Sequence, residues 1–202
     1  MKYYIIFLTF LSYAFSSFAE EKTCEPKKNV MLEQTMRKLW SDHVIWTRQY
    51  IVGTVARYKD TPAAAERLLK NQDDIGSAIA SYYGKKAGAT LAKLLKDHIM
   101  IATEVVNAAL ENSSENLKKA DKKWHNNADD IADFLSKANP NWSRLDLKSM
   151  LYRHLDLTTK EVKLRIGKNW KEDVVNFDNV YDQALKMADT LSDGIVKQFL
   201  SK

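Results

Sequence analysis

Apolar residues recur at helical spacing along almost the whole chain, and only three prolines and six glycines interrupt its 202 residues. This pattern is typical of an all-helical, all-α protein. Six helices are predicted, at 30–58, 62–83, 86–111, 115–138, 144–166 and 170–199. The boundaries carry helix start and stop signals, with Pro62 after Thr61, Gly84, and Pro140 shortly before Ser143. Because the connections are short, we expect an up-and-down bundle of about six helices built from three helical hairpins.

The first nineteen residues have the pattern of a secretory signal peptide. Lys2 supplies a basic start, residues 3–15 are almost wholly apolar, and Ser17 and Ala19 put small residues where signal peptidase reads the chain. We expect cleavage after Ala19 and a periplasmic or secreted protein. The rest of the chain is predicted to form a flexible segment at 20–29 and a single helical-bundle domain at 30–202, with no membrane span in the mature form.

Charge and cysteine content narrow the possible partners. The formal net charge is +5, or +4 once Lys2 leaves with the leader, and basic and acidic residues are interleaved. We therefore expect no nucleic-acid partner, and the sequence identifies no protein partner. Cys24 is the only cysteine, so no internal disulfide can form. Its thiol is interpreted as free, with an intermolecular disulfide as the alternative.

A comparison of the chain with itself indicates an internal repeat. Residues 71–106 align without a gap on 127–162 with nine identities in 36 positions, among them Asn71 with Asn127 and His98 with His154. Shorter fragments of the same unit surround His43 and Asn176. The hypothesis is a triplicated hairpin, in which a helix that carries a histidine precedes a helix that carries an inward asparagine.

Three histidines, His43, His98 and His154, lie 55 and 56 residues apart. At 100° per residue each one lies at the centre of an apolar stripe, so each imidazole is predicted to face the core. By the same construction Asn71, Asn127 and Asn176 face inward on the partner helices. A buried imidazole without a hydrogen-bond partner costs about 1–3 kcal/mol. The three asparagines are therefore the expected partners of the histidines.

Two interpretations of this pattern remain open. In the first, His and Asn form a self-satisfied polar layer that fixes the register of the helices, in a structural or partner-binding bundle. In the second, His43, His98 and His154 bind a transition metal such as Zn, Cu or Fe, or a small ligand. Asn71 and Asn127 would support such a cofactor, and Tyr50, on the inward face of His43, would contact it.

Glu161 bears on the second interpretation because it lies two turns after His154 on the same inward face, where a carboxylate is costly unless it is paired or metal-bound. It is therefore a candidate metal ligand. Alternatively, Thr158 and Glu161 form a capping box, and the helix breaks after His154. A metal-dependent enzyme is a third possibility, although the chain shows no established catalytic or metal-binding motif and no catalytic residue is predicted.

Three segments, 39–48, 69–76 and 154–162, resemble sequences of small exported bacterial proteins that are all-helical and of unknown function. The resemblance runs through nearly the whole mature chain. It implies a helical fold and a bacterial origin, and it supplies no catalytic residues.

Overall fold

The computed structural model describes residues 28–201, so the predicted signal peptide and Cys24 lie outside the described residues. The predicted all-helical fold is confirmed. Six α-helices follow one another in a simple order, and a five-residue π-helical turn, Val196–Leu200, ends the last of them. The helices are α1 (Lys28–Ala56), α2 (Thr61–Tyr83), α3 (Lys85–Leu110), α4 (Ser114–Ala138), α5 (Arg144–Ile166) and α6 (Trp170–Ile195).

The six helices pack as an up-and-down bundle. Each helix contacts the next along the chain, and α6 returns to contact α1, which closes the arrangement into a ring. Within the ring, α5 also contacts α1 and α3. The three helices that carry the inward histidines therefore face the middle of the bundle.

Helices α2 and α3 approach each other closely at Gly76 and Gly88. A Cβ atom added at Gly76 would lie 2.6 Å from the carbonyl oxygen of Gly88 and 2.7 Å from Cβ of Ala92. Both distances are shorter than any packed side chain tolerates, so glycine permits the tight crossing of this hairpin.

The connection between α4 and α5 is held by buried polar contacts. The side chain of Asn139 accepts a 2.8 Å hydrogen bond from the backbone N–H of Asn141 and donates to the hydroxyl of Tyr83. Nearby, the indole N–H of Trp142 donates to the carbonyl of Thr190 at 3.2 Å. These contacts fix the start of α5 against α2 and α6.

Helix α5 runs without a break from Arg144 to Ile166. The hydroxyl of Thr158 donates to the carbonyl of His154 one turn earlier, at 2.9 Å. Thr158 is thus an interior helical residue, and the predicted alternative of a capping box after His154 is wrong. Glu161 lies on the same helix face as His154, two turns further along.

Of the helices within residues 28–201, none combines the length and apolar composition that crossing a bilayer requires.

Candidate functional site

The imidazoles of three hairpins meet inside the bundle. His43 on α1, His98 on α3 and His154 on α5 are each no more than 4% exposed. The ring centroid of His154 lies 5.7 Å from that of His43 and 6.4 Å from that of His98. Helical phase alone therefore identified the residues that the fold brings together.

Each imidazole is joined through Nδ1 to an amide side chain of the following helix. His98 pairs with Asn127 at 2.7 Å, His154 with Gln183 at 3.1 Å, and His43 with Gln72 at 3.3 Å. In all three pairs the amide lies 29 residues after the histidine. We call these six residues the His–amide layer: His43, Gln72, His98, Asn127, His154 and Gln183.

The orientation of two amides assigns the tautomers of two histidines. Asn127 donates from Nδ2 to the carbonyl of Leu94, and Gln183 donates from Nε2 to the carbonyl of Met150. Because a carbonyl can only accept, the amide oxygens must be the atoms that face the rings. His98 and His154 therefore carry their proton on Nδ1, and the lone pair of each neutral ring is on Nε2.

The pair at His43 has the opposite polarity. The two N–H groups of Gln72 Nε2 are shared among three acceptors, the carbonyl of Leu68 at 2.7 Å, Oδ1 of Asn71 at 3.2 Å and Nδ1 of His43 at 3.3 Å. With the amide in this orientation the ring accepts at Nδ1 and carries its proton on Nε2. Oε1 of Gln72 is buried without a partner among the described residues. Asn71 donates to the carbonyl of Leu39, as Asn127 does to Leu94, and its oxygen accepts from Gln72.

Burial keeps the layer uncharged. It lowers the pKa of His98 to about 3 and that of His154 to about 4, and it holds the pKa of His43 well below the ordinary value of 6.5. Repulsion from the ring of His154 lowers the pKa of His43 and His98 further. All three rings are therefore neutral at neutral pH, which is the protonation state that binds metal ions.

Apolar side chains cover the His–amide layer on both sides. Toward the start of α1 lies a cavity of about 20 Å³ lined by Trp40 and twelve apolar residues. Toward the end of α1 a second cavity of about 20 Å³ is lined by residues that include Tyr50 and Trp124. Each has room for about one water molecule. Tyr50 thus lines the space beside the layer, and its side chain packs against the cluster of Ile51 with two valines.

Two indole N–H groups close to the layer have no acceptor. The ring of Trp40 lies 5.5 Å from that of His43, and the ring of Trp124 lies 5.2 Å from that of His98. Both indole nitrogens are buried and lack a hydrogen-bond partner among the described residues. Such groups are uncommon in folded proteins, and here they follow from the apolar side chains that surround the layer.

Glu161 is paired with Arg48 and not with the imidazoles. Nη1 of Arg48 donates to Oε1 of Glu161 at 2.6 Å, and the carboxylate is 1% exposed. Seven residues separate Glu161 from His154, a rise of roughly 10 Å along α5. In this structure the ion pair holds the carboxylate of Glu161 on Arg48, at a different level of α5 from the ring of His154.

Arg48 also binds a second buried carboxylate. Its Nη2 lies 2.8 Å from Oδ2 of Asp173, and Arg165 donates to the same oxygen at 3.1 Å. Asp173 is fully buried, whereas the side chains of Arg48 and Arg165 are about one-fifth exposed. We call Arg48, Glu161, Arg165 and Asp173 the charge cluster. It ties the second half of α1 to the end of α5 and the start of α6.

Burial raises the pKa of Glu161 to about 7. The positive charge of Arg48 opposes this rise, and the nearby carboxylate of Asp173 reinforces it. Glu161 therefore changes its protonation state near neutral pH, inside a cluster that connects three helices.

Of the three asparagines expected to partner the histidines, only Asn127 does so, and the prediction is wrong for Asn71 and Asn176. The partners that the sequence missed are Gln72 and Gln183. Asn176 is buried but donates to the carbonyl of Leu157 at 3.0 Å, because it lies two turns before Gln183 on α6 and so at another level of the bundle. The spacing of 29 residues between His98 and Asn127, applied to His154, would have found Gln183.

Within residues 28–201, no group of three or more His, Cys, Asp or Glu side chains is arranged so that it could hold a metal ion. The three imidazoles are close, but His43 has its proton on the nitrogen that the other two rings leave free.

In comparisons with protein-family models, with curated proteins and with solved structures, no significant match to this chain is found.

Proposed function

We propose that the bundle binds a transition-metal ion on Nε2 of His43, His98 and His154. The observation that carries the proposal is the convergence of three buried, neutral imidazoles with ring centroids 5.7 Å and 6.4 Å apart. Three imidazoles around a tetrahedral ion hold their centroids roughly 5 Å apart. To share one ion, the rings of His43 and His98 would each have to move roughly 1 Å closer to that of His154, and also to within roughly 5 Å of each other.

Two of the three ligands are already in the required form. A metal-binding histidine usually donates its other N–H group to an oxygen, which fixes the tautomer and orients the ring. His98 and His154 do so to the amide oxygens of Asn127 and Gln183. Their Nε2 lone pairs are therefore available without any change of protonation.

His43 must change its tautomer before it can join them. A proton on Nδ1 requires an acceptor there, and Gln72 supplies one if its amide turns over. That turn would give the unpaired Oε1 of Gln72 a partner, at the expense of its hydrogen bonds to Leu68 and to the oxygen of Asn71. We infer that binding is coupled to this rearrangement. Because Glu161 is held by Arg48, the fourth position of the ion is left to solvent or a small ligand.

Metal titration tests the proposal. The purified protein is titrated with Zn²⁺, Cu²⁺ and Fe²⁺, with Co²⁺ as an absorbance probe of coordination, and His43→Ala, His98→Ala and His154→Ala follow. We expect one ion per chain and an affinity loss of at least about 100-fold in each variant. His125→Ala is the matched control, because His125 is bonded to its own helix at the carbonyl of Asp121. Absence of stoichiometric binding, or binding that survives all three changes, would refute the proposal.

A second candidate is a register-fixing polar layer without a metal. It is favoured by the amide bonded to every Nδ1 and by the lack, in the described part of the chain, of a formed metal-binding group. Under this alternative, the three histidine variants lose folding stability, and the unaltered protein binds no ion in the titration above.

We also infer that the protein is exported and that its bundle is a triplicated hairpin. The basic start, apolar stretch and small residues of segment 1–19 support export, and amino-terminal sequencing of the protein from its producing cells would test it by the presence of residue 20 at the new terminus. The shared spacing of 29 residues in all three His–amide pairs supports the triplication.

A further inference from the structure

A surface groove of about 580 Å³ lies between α5 and α6. Two carboxylates, Asp146 and Asp182, line it together with two basic side chains, Arg153 and Lys186. The two negative and two positive side chains balance, so the groove has no net charge that would repel a small cation. Its lining also includes Gln183, which belongs to the His–amide layer.

Gln183 separates this groove from the interior by a single side chain. On one side it lines the groove, and on the other its Oε1 accepts the Nδ1–H of His154 at 3.1 Å. It is 9% exposed, whereas Gln72, the corresponding amide next to His43, is fully buried.

The neighbours of His154 on α5 form the rest of the barrier. Met150 and Leu157, one turn before and one turn after His154, both line the groove. The amide of Gln183 closes the gap between them, where its Nε2 donates to the carbonyl of Met150 at 3.0 Å. The ring of His154 therefore lies directly behind a floor made of Met150, Leu157 and Gln183.

We propose that Gln183 gates a route from the α5–α6 groove to the ring of His154, by which a small cation enters the centre of the bundle. Rotation of one side chain, with the loss of two hydrogen bonds, opens this route without separating the helices. The inference rests on the proposed metal function as far as the cation is concerned. The route itself can be tested without any metal.

Chemical labelling with diethyl pyrocarbonate measures the accessibility of each histidine separately and so tests the route. The reagent acylates an unprotonated imidazole nitrogen, which Nδ1 of His154 becomes when its bond to Gln183 is lost and the ring proton moves to Nε2. Mass spectrometry of the digested protein gives a separate rate for each residue. In the unaltered protein, we expect His154 to react before His43 and His98. Gln183→Ala removes the gate and is expected to accelerate the labelling of His154 by about tenfold or more, with His98 changed by less than about twofold.

Two further variants separate an opened route from a lost hydrogen bond. Gln183→Leu refills the floor but cannot bond to His154, so His154 is expected to stay within about threefold of the unaltered rate. Thr190→Ala changes another residue of the groove that does not contact the layer, and no rate should change. Circular dichroism confirms that each variant is folded. If Gln183→Ala does not fold, the unaltered protein tests the inference: His154 must react before His43 and His98.

The inference is overturned if the three buried histidines react at one rate, if Gln183→Ala accelerates all three alike, or if it accelerates none. Selective access to His154 with no metal uptake would retain the route and refute the metal proposal. Metal uptake with equal labelling of the three histidines would support the metal proposal and refute the route.

Discussion

The Nδ1–H group of His98 donates a 2.7 Å hydrogen bond to Oδ1 of Asn127, and the same amide donates from Nδ2 to the carbonyl of Leu94. One side chain of α4 thus bonds both to a buried ring and to a backbone carbonyl of α3. The two bonds are short-range and directional, so they fix the axial register of this hairpin as well as the tautomer of the histidine.

Asn127→Leu is expected to destabilise the protein by about 1–3 kcal/mol, because it leaves the Nδ1–H of His98 buried without a partner, while the carbonyl of Leu94 keeps only its bond within α3. Urea unfolding followed by circular dichroism measures the effect. Asn179→Ala is the matched control, since its amide bonds only to the carbonyl of Val175 in its own helix and is exposed. Similar losses of stability in the two variants would show that the interhelical amide has no special role.

Most of the fold and the main members of the site follow from helical periodicity. The phase of an apolar stripe determines which residues point inward, and it correctly placed His43, His98 and His154 in the interior. Phase also suggested Asn127 as the partner of His98, because the two helices are joined by a short connection and must lie side by side.

The charge cluster could not be predicted in this way. Arg48 and Asp173 are 125 residues apart, on the first and the last helix, and become neighbours only because α6 closes the ring against α1. Periodicity gives the direction of a side chain but not which distant helix it meets. For the same reason, Glu161 was recognised as inward but its partner was not.

The neutral imidazoles predict a loss of stability in mild acid. Their pKa values are about 3 and about 4 for His98 and His154, and well below 6.5 for His43, while unfolded histidine titrates near 6.5. The unfolded chain therefore binds more protons, and stability falls as the pH drops from about 6.5 toward 4. Each ring contributes up to about 1.4 kcal/mol per pH unit.

Urea midpoints between pH 6.5 and pH 5 measure that slope. His98→Leu should reduce it by roughly 1 kcal/mol per pH unit over this range, the share of one ring, since an unfolded histidine is only half protonated at pH 6.5. Asn127→Leu serves as the control, because it lacks the amide but keeps all three rings and should retain the full slope. An undiminished slope in His98→Leu would contradict the assignment of acid sensitivity to the buried imidazoles.

Glu161 has the opposite pH dependence. Its pKa is raised to about 7 in the folded protein from an ordinary value of 4.5, so the folded state binds the extra proton. Its contribution to stability is complete below about pH 4.5 and is lost as the pH rises through about 7. Glu161→Gln keeps a neutral side chain at all pH values and should remove this dependence.

The difference in unfolding free energy between Glu161→Gln and the unaltered protein isolates this effect, because the histidines contribute equally to both. Relative to the unaltered protein, the variant should become more stable by up to about 1.4 kcal/mol per pH unit between pH 5 and pH 7. Glu104→Gln, which breaks an exposed pair with Lys123, is the control and should give a difference below about 1 kcal/mol at every pH. A flat difference for Glu161→Gln would mean that Arg48 holds the carboxylate ionised throughout.

The tautomer of His43 gives the most direct prediction about metal binding. In Gln72→Glu, a carboxylate replaces the amide nitrogen that now faces Nδ1 of His43. An ionised carboxylate accepts hydrogen bonds and cannot donate one. It would therefore draw the imidazole proton of His43 to Nδ1 and leave Nε2 free to act as the third ligand. The affinity for Zn²⁺ or Co²⁺ should increase by about 10-fold or more.

The control for this prediction is Gln49→Glu, which introduces the same charge at an exposed position of α1 and should leave the affinity unchanged. Equal gains in affinity in both variants would show that the effect comes from net charge alone. If Gln72→Glu gives no gain, the proton on Nε2 of His43 is not the obstacle to metal binding.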